Sequence, residues 1–557
     1  MNELFFLFEF YCLTKKMKKT IYQIISEIQQ DINNNNILIE NIDNNNIPQE
    51  SIEKYNNFKK WLDENGAIYP KLKFPKKFNN IIGCEATEDI KENSCLFYIP
   101  YKLLIDSSNI NIEYLPTSLK KNNTVKLVLF LLEEHEKKEK SFYKPYIDLI
   151  LINDFSNYTP FWSKDDLIEL NDEMVEENIN YYINEISDLY SDIFDKSKKK
   201  FDFMLFKLFY VFVFSRQFNI GDNKMLLIPL ADLLNHSPYA DIKYEFFDSK
   251  NFVMKYTSDF NDNNNLSKDI ISNNLKMFTD FSDFFINYKK KENNEEKNSE
   301  IKEIIVDYEE KEEKEYELND NDFFVISTNK QIFKKGTQIF NNYGICSNEY
   351  LLVNLGFCLI DNPGDKTKVV FPIPTPENFL QKFLVKNYLD DFLNKESYIK
   401  DKAIYIRLYV KRNKLSKKIL NIFRYEIYHE LKKFEKKKEI DCLNKYINFL
   451  NGKLDMNNNS PFKLINNIKE MVYKSGIKND NKFNIAIFKL TQKLNLLYQK
   501  EVVNNMINIL KNDEKNEIIN YETFLEKVKK YENIKSLYLN KEEIKNIIIY
   551  YLNKNKL

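Results

Sequence analysis

Pro229-Leu230-Ala231-Asp232-Leu233-Leu234-Asn235-His236-Ser237 and, about a hundred residues on, Asn342-Tyr343-Gly344-Ile345-Cys346-Ser347-Asn348-Glu349 are the two strings on which the fold of this chain turns. The first sets Asn235 and His236 directly after an apolar run. An amide and an imidazole are costly to bury unless their polar atoms meet partners, so the fold must bring partners to them. The second is a Tyr-Gly turn that leads into a helix.

Around these strings the bulk properties narrow the field. The chain has 557 residues, but Asn- and Lys-rich low-complexity stretches inflate that length, so two folded units are expected rather than four. Hydrophobic residues at 43% and aromatics at 15% suffice for sizeable cores. With 82 basic against 83 acidic side chains there is no overall pull toward nucleic acid or an anionic membrane. The six cysteines (Cys12, Cys84, Cys95, Cys346, Cys358, Cys442) form no C-x-x-C pair, which fits a reducing compartment and speaks against a structural metal site. Leu4 to Cys12 is apolar but carries Glu9 and lacks a basic start, so it reads as a packed or interfacial helix rather than a leader. Phe203 to Phe214 is broken by Lys207 and falls short of the roughly 20 apolar residues that a bilayer requires. The expected setting is intracellular, cytoplasmic or nuclear, and the expected state a monomer.

Along the chain, residues 1–50 read as a tail ending in Asn tracts. An amphipathic helix through Phe58-Lys59-Lys60-Trp61-Leu62 ends near Gly66, and Ile82 to Pro100 reads as two short strands around Lys91-Glu92-Asn93. Residues 112–218 follow helical periodicity. Two strands, Asp241 to Met254 and Phe323 to Thr328, bracket a charged, Asn-rich block at about 259–320. That block reads as a disordered insertion, which loop-closure entropy tolerates, or alternatively as an acidic docking arm. Beyond 363, Leu415, Ile419, Phe423, Ile427, Leu431 and Phe434 step by three or four, as do Phe483, Ile487, Leu490, Leu494 and Leu497, which predicts an all-helical domain over 363–557.

Several blocks in order resemble the SET-domain protein methyltransferases of the Rubisco large-subunit lysine methyltransferase-like branch. They are Gly83-Cys84-Glu85-Ala86, Ser141-Phe142-Tyr143-Lys144-Pro145-Tyr146, Pro160-Phe161-Trp162, Ser215-Arg216-Gln217-Phe218, the Asn235-His236 and Tyr343-Gly344 elements, and Gly356-Phe357. Leu415 to Arg424 is similar to part of that branch's C-terminal substrate-binding domain. The resemblance implies an α+β SET fold over 51–362, with small twisted sheets, a pseudoknot and a helical insert, ahead of the helical domain.

It further implies S-adenosylmethionine as cofactor and a protein lysine as methyl acceptor. A lysine amine is protonated up to a pKa near about 10.4, so the site must desolvate it. By the resemblance Tyr343 is the catalytic tyrosine; among 36 tyrosines, any other would be taken as a core residue. Arg216, with its planar fork, suits the cofactor carboxylate. Asp232, Asn235, the backbone of His236, Phe357 and the backbone of Gly83, Cys84 and Glu85 complete the expected cofactor site, with the His236 imidazole structural. Phe218 and Phe340 are the expected walls of the substrate channel. Glu85 and Leu355 depart from the pattern, standing where an apolar and an aromatic residue are usual. Two other readings stand beside this one: a protein-histidine methyltransferase of the actin-histidine type, and a silent SET module that only binds a partner. No metal, direct nucleic-acid contact or membrane span is expected.

Overall fold

The computed structural model describes residues 47–511 apart from 79–80, 196, 221–223, 248–321, 361, 375–396, 401–402, 456–460, 476–479 and most of 412–435. The N-terminal segment and the charged block at 259–320 therefore lie outside the described residues. The longer helices are α1 (Gln49–Glu64), α2 (Asn123–Glu136), α3 (Lys144–Leu151), α4 (Lys164–Leu170), α5 (Glu173–Phe194), α6 (Phe203–Arg216), α7 (Lys436–Asp455), α8 (Pro461–Ser475) and α9 (Asn481–Lys511). The described residues divide into two compact units, one of 47–153 and 186–343, the other of 154–185 and 344–511.

The first unit holds three small sheets. β1 (Leu72–Phe78) and β2 (Ile81–Ala86) form an antiparallel pair, followed by β3 (Cys95–Pro100), β4 (Ile105–Asp106), β5 (Phe218–Asn219), β6 (Met225–Leu227), β7 (Asn235–His236), β8 (Ile242–Phe247), β9 (Phe323–Thr328) and β10 (Gln338–Asn341). Their orders are β1-β2-β10-β7, β3-β9-β8 and β4-β6-β5. All six residues of β3 are buried, which is why Cys95 to Pro100 reads as a continuous apolar run rather than an alternating one. Asn93, at φ 55, makes the turn before it, and Gly66, at φ +86, follows the end of α1; both turns fall where the sequence puts them. β8 and β9 pair from Ile242↔Thr328 to Phe247↔Phe323, so the long intervening segment leaves and rejoins the sheet at one end. Helix α6 is buried along Phe206, Phe209 and Tyr210 to Val213, and Asp202 caps it by accepting from Leu205 N at 2.9 Å, a cap worth about 1 kcal/mol. The helix sets Arg216 in its last turn.

The second unit has one continuous core in which Val353, Cys442, Tyr446, Leu490 and Tyr498 meet. Phe483, Ile487, Leu490 and Leu494 lie buried on α9, as their spacing requires. An all-helical domain does not describe it, however. β11 (Lys366–Pro374), β12 (Ser397–Lys400) and β13 (Ala403–Lys411) form an antiparallel sheet in the order β11-β13-β12. Ile406, Leu408 and Val410 are buried at 5%, 3% and 0%, alternating with Tyr405, Arg407, Tyr409 and Lys411, the two-residue period of a sheet with one covered face. Asn348, fully buried, ties the segment after Gly344 to α9: its N–H donates to Asp365 Oδ1 at 2.9 Å and its amide to Thr491 Oγ1 at 3.1 Å.

Candidate active site

β10 runs between β2 and β7 and gathers the site. It is antiparallel to β2 through Gln338↔Glu85 and Ile339↔Cys84, and parallel to β7 through Phe340↔Asn235 and Asn341↔His236. Three segments far apart in sequence thus meet within one sheet. The Asn235 amide donates to the Ile82 carbonyl at 3.0 Å. A Cβ at Gly83 would stand 2.9 Å from Asn235 Nδ2 and 2.5 Å from Gln338 Nε2, so only glycine lets these amides close over β2. Cys84 is wholly buried, and burial pushes its thiol far up. Glu85 finds its partner in Lys76 at 3.6 Å, which accounts for an acidic residue where an apolar one is usual.

Tyr343 follows β10 and is pinned twice. Its N–H donates to His236 Nδ1 at 3.1 Å, and its hydroxyl donates to the Leu234 carbonyl at 2.7 Å. The two rings stack, with centroids 4.9 Å apart at 22°. Because the hydroxyl proton goes to Leu234, the oxygen lone pairs are left to face whatever approaches the ring. Gly344, at φ +99, completes the Tyr-Gly turn in a conformation that side chains other than glycine rarely adopt.

His236 can hold Tyr343 only while Nδ1 is unprotonated. Burial pushes its pKa down to about 4, against a weaker upward pull from the Asn341 backbone. The folded ring therefore refuses a proton that the unfolded chain binds near pH 6.5. Its contribution is complete above that pH and is lost as pH falls toward 4, at a cost of roughly 3 kcal/mol. Denaturant unfolding at about pH 7 and about pH 4.5 should show a smaller acid loss in His236→Gln than in the wild type. Equal losses in the two proteins would remove His236 from this account.

Arg216 donates through Nη1 to the Asp232 backbone carbonyl and lies over the Phe212 ring, 5.4 Å from its centroid. Asp232 itself is buried, with burial lifting its pKa to about 6 against the lowering effects of Arg216 and of the Tyr146 hydroxyl. Just before it, Leu230 holds φ 77, a strained value for a branched residue that costs of order 1–3 kcal/mol and starts the tight turn Ala231–Leu233.

Phe218 lies edge-on to Tyr244 at 5.8 Å and to Phe324 at 6.0 Å, while Tyr244 and Phe324 stack at 5.9 Å. The Tyr244 hydroxyl donates to Asn341 Oδ1, and burial together with the neighbouring Tyr343 raises its pKa. Phe340 instead lies on β10 opposite Asn235. Phe357 belongs to the other unit, where its N–H donates to the Leu351 carbonyl at 3.3 Å. Tyr244 and Asn341 are site residues that sequence reasoning missed. The alternation in β8, which puts Tyr244 and Phe246 on one face, was the signal for the first. Among the described residues, no three His, Cys, Asp or Glu side chains gather as a metal would need, and no helix is long and apolar enough to cross a membrane.

Comparison with known proteins agrees with this geometry. No family model matches the chain. A curated relative, the chloroplastic [fructose-bisphosphate aldolase]-lysine N-methyltransferase of Arabidopsis thaliana, is 28% identical over 197 residues, covering 33% of this chain and 40% of the relative. The match thus spans two fifths of that protein's length. Among solved structures, the SET domain of LSMT bound to lysine and AdoHcy superposes with a TM-score of 0.52 at 15% identity, over 89% of this chain and 99% of that one. Rubisco LSMT bound to sinefungin and monomethyllysine superposes with a TM-score of 0.50 at 14% identity, over 85% and 99%. The fold is the SET fold. Within it, the superposed structures are those of the Rubisco large-subunit methyltransferase, to which this chain is similar in fold.

Proposed function

We propose that this chain is a protein-lysine N-methyltransferase that uses S-adenosylmethionine and acts on a non-histone protein. The observation that carries the reading is Tyr343, whose hydroxyl is anchored on the Leu234 carbonyl beside the Asn235-His236 strand. The lysine acceptor named for the curated relative, and the lysine and AdoHcy bound in the superposed SET domain, support it.

The residues present fit the cofactor. Arg216 offers a guanidinium fork over the Phe212 ring, and the Asn235 and Gln338 amides gather beside Gly83, where a side chain would exclude them. Arg216 would hold the carboxylate of the methionyl end, Asn235 its neighbouring polar groups, and the backbone of Cys84 and His236 the rest. When bound, the cofactor supplies an electrophilic methyl on a sulfonium. The chain's own part is to desolvate the lysine amine against the aromatic cluster of Phe218 and Tyr244, so that it enters neutral, and to orient it by the Tyr343 oxygen. Backbone carbonyls beside the methyl would accept weak C–H hydrogen bonds from it.

Lysine rather than histidine is favoured by Phe218. The actin-histidine branch carries an asparagine at this place, whose amide can bond an imidazole nitrogen. A phenyl ring would leave that nitrogen buried and unpaired, at about 1–3 kcal/mol, whereas it suits an aliphatic stem. Phe218→Asn should lower lysine methylation by about five- to a hundredfold in kcat/KM and admit histidine. A methyl found on an imidazole nitrogen of the native substrate would overturn the choice of acceptor while leaving methyl transfer in place. The reading as a whole is tested by incubating the protein with isotope-labelled S-adenosylmethionine and a cell lysate, then locating the label by mass spectrometry. Calorimetry with the cofactor separates an enzyme from a silent module, which would bind none.

A further inference from the structure

We infer that Tyr146 is a positioning residue for Arg216, acting through Asp232 and Phe212 to set the guanidinium for the cofactor's carboxylate; the inference rests on the function proposed above. Tyr146, on α3, is 2% exposed and its hydroxyl donates to Asp232 Oδ2 at 2.5 Å. The same ring meets Phe212 edge-on, 6.0 Å away at 69°, and stacks on Phe58 at 6.1 Å. Phe212 is the ring beneath the Arg216 guanidinium, and Asp232 is the residue whose carbonyl takes the Arg216 Nη1 proton. Both of these contacts of Arg216 are therefore themselves held by one side chain from another helix.

A purely structural tyrosine needs only a neutral acceptor. A buried carboxylate is the costlier choice, because its charge must be balanced in a dry site. The Tyr146 hydroxyl is the side-chain donor to this carboxylate, beside the backbone N–H groups of Asp232 and Leu230. The groups facing Asp232 are Arg216 on α6, Tyr146 on α3, Tyr55 on α1 and Cys84 on β2. Tyr55, its pKa raised to about 12, and Cys84, raised further, stay neutral at any working pH. Arg216 is thus the charged group against which Asp232 titrates, with its midpoint lifted to about 6 by burial and held down by Arg216, by the Tyr146 hydroxyl and by the backbone N–H groups of Asp232 and Leu230.

Ionised Asp232 draws the guanidinium onto its own backbone carbonyl, and protonation releases it. Cofactor affinity should accordingly fall as pH drops through about 6. Removing the Tyr146 hydroxyl takes away one of the groups holding that midpoint down, so the loss should begin at higher pH.

The test is calorimetry of S-adenosylmethionine binding to the full chain between about pH 5 and pH 8, with melting temperatures recorded alongside. Tyr146→Phe is expected to bind about tenfold more weakly at pH 7, with its pH midpoint shifted upward. Asp232→Asn is expected to bind weakly with no bend near pH 6. A Tyr146→Phe variant with the affinity and pH profile of the wild type overturns the inference and leaves the proposed function standing. If that variant melts below the assay temperature, Asp232→Asn decides, and a profile still bending near pH 6 overturns the inference. A wild type that binds no S-adenosylmethionine at any pH removes the proposed function and this inference with it.

Discussion

Tyr343→Phe is expected to lose methyl transfer by on the order of 10²- to 10³-fold in kcat while still binding cofactor, because it deletes one oxygen at the point of reaction and little packing. The Tyr343 hydroxyl donates its hydrogen bond to the Leu234 carbonyl, so on the proposed function its oxygen would serve as an acceptor toward the amine. The phenylalanine ring keeps the stack on His236, and its backbone keeps the bond to Nδ1. The remaining loss is the unpaired Leu234 carbonyl, about 1 kcal/mol of stability. Single-turnover transfer with calorimetry in parallel checks the split. Undiminished turnover would take Tyr343 out of catalysis, and loss of cofactor binding would recast it as a structural anchor.

Arg216→Ala has the second large expected effect, and it falls on binding. A charge-assisted bond to a carboxylate is worth about 1.5–3 kcal/mol, which weakens cofactor affinity by about ten- to a hundredfold. The substitution also strips Asp232 of the cation that helps keep its pKa down, so the carboxyl moves further toward its neutral form. Arg216→Lys should rescue only part of the loss, since an ammonium lacks the planar fork and lies less well over Phe212. Cofactor affinity equal to wild type in Arg216→Ala would contradict the assignment. The two variants are complementary: one loses chemistry with binding kept, the other loses binding.

Much of the fold is legible in the sequence where local physics and tertiary packing agree. The end of α1 ahead of Gly66 and the bounds of β9 follow from glycine's freedom and from an uninterrupted apolar run. The sheet of the second unit escapes notice for a physical reason. Its two-residue alternation at Tyr405 to Lys411 lies just ahead of a long helical pattern, and a short period-two run is easily absorbed into a neighbouring period of 3.6. In the candidate site, Asn235 and His236 stand out locally because an amide and an imidazole set after an apolar run each require a polar partner, whereas Arg216 and Tyr343 are singled out by the resemblance of the blocks that carry them. Tyr244 and Tyr146 are not, because in a chain with 36 tyrosines and 44 phenylalanines an aromatic residue carries no local mark of its role.

By itself, then, the sequence determined which polar groups had to be housed after an apolar run and where a Tyr-Gly turn stands, and its resemblance pointed to the kind of chemistry. Only the tertiary structure decided who holds them. β10, entering between β2 and β7, sets His236 against the Tyr343 N–H, and α3 brings Tyr146 to Asp232 across 86 residues of chain. Such pairings leave no trace in local pattern, because a hydrogen bond depends on where two backbones lie in space and not on how far apart they are in sequence.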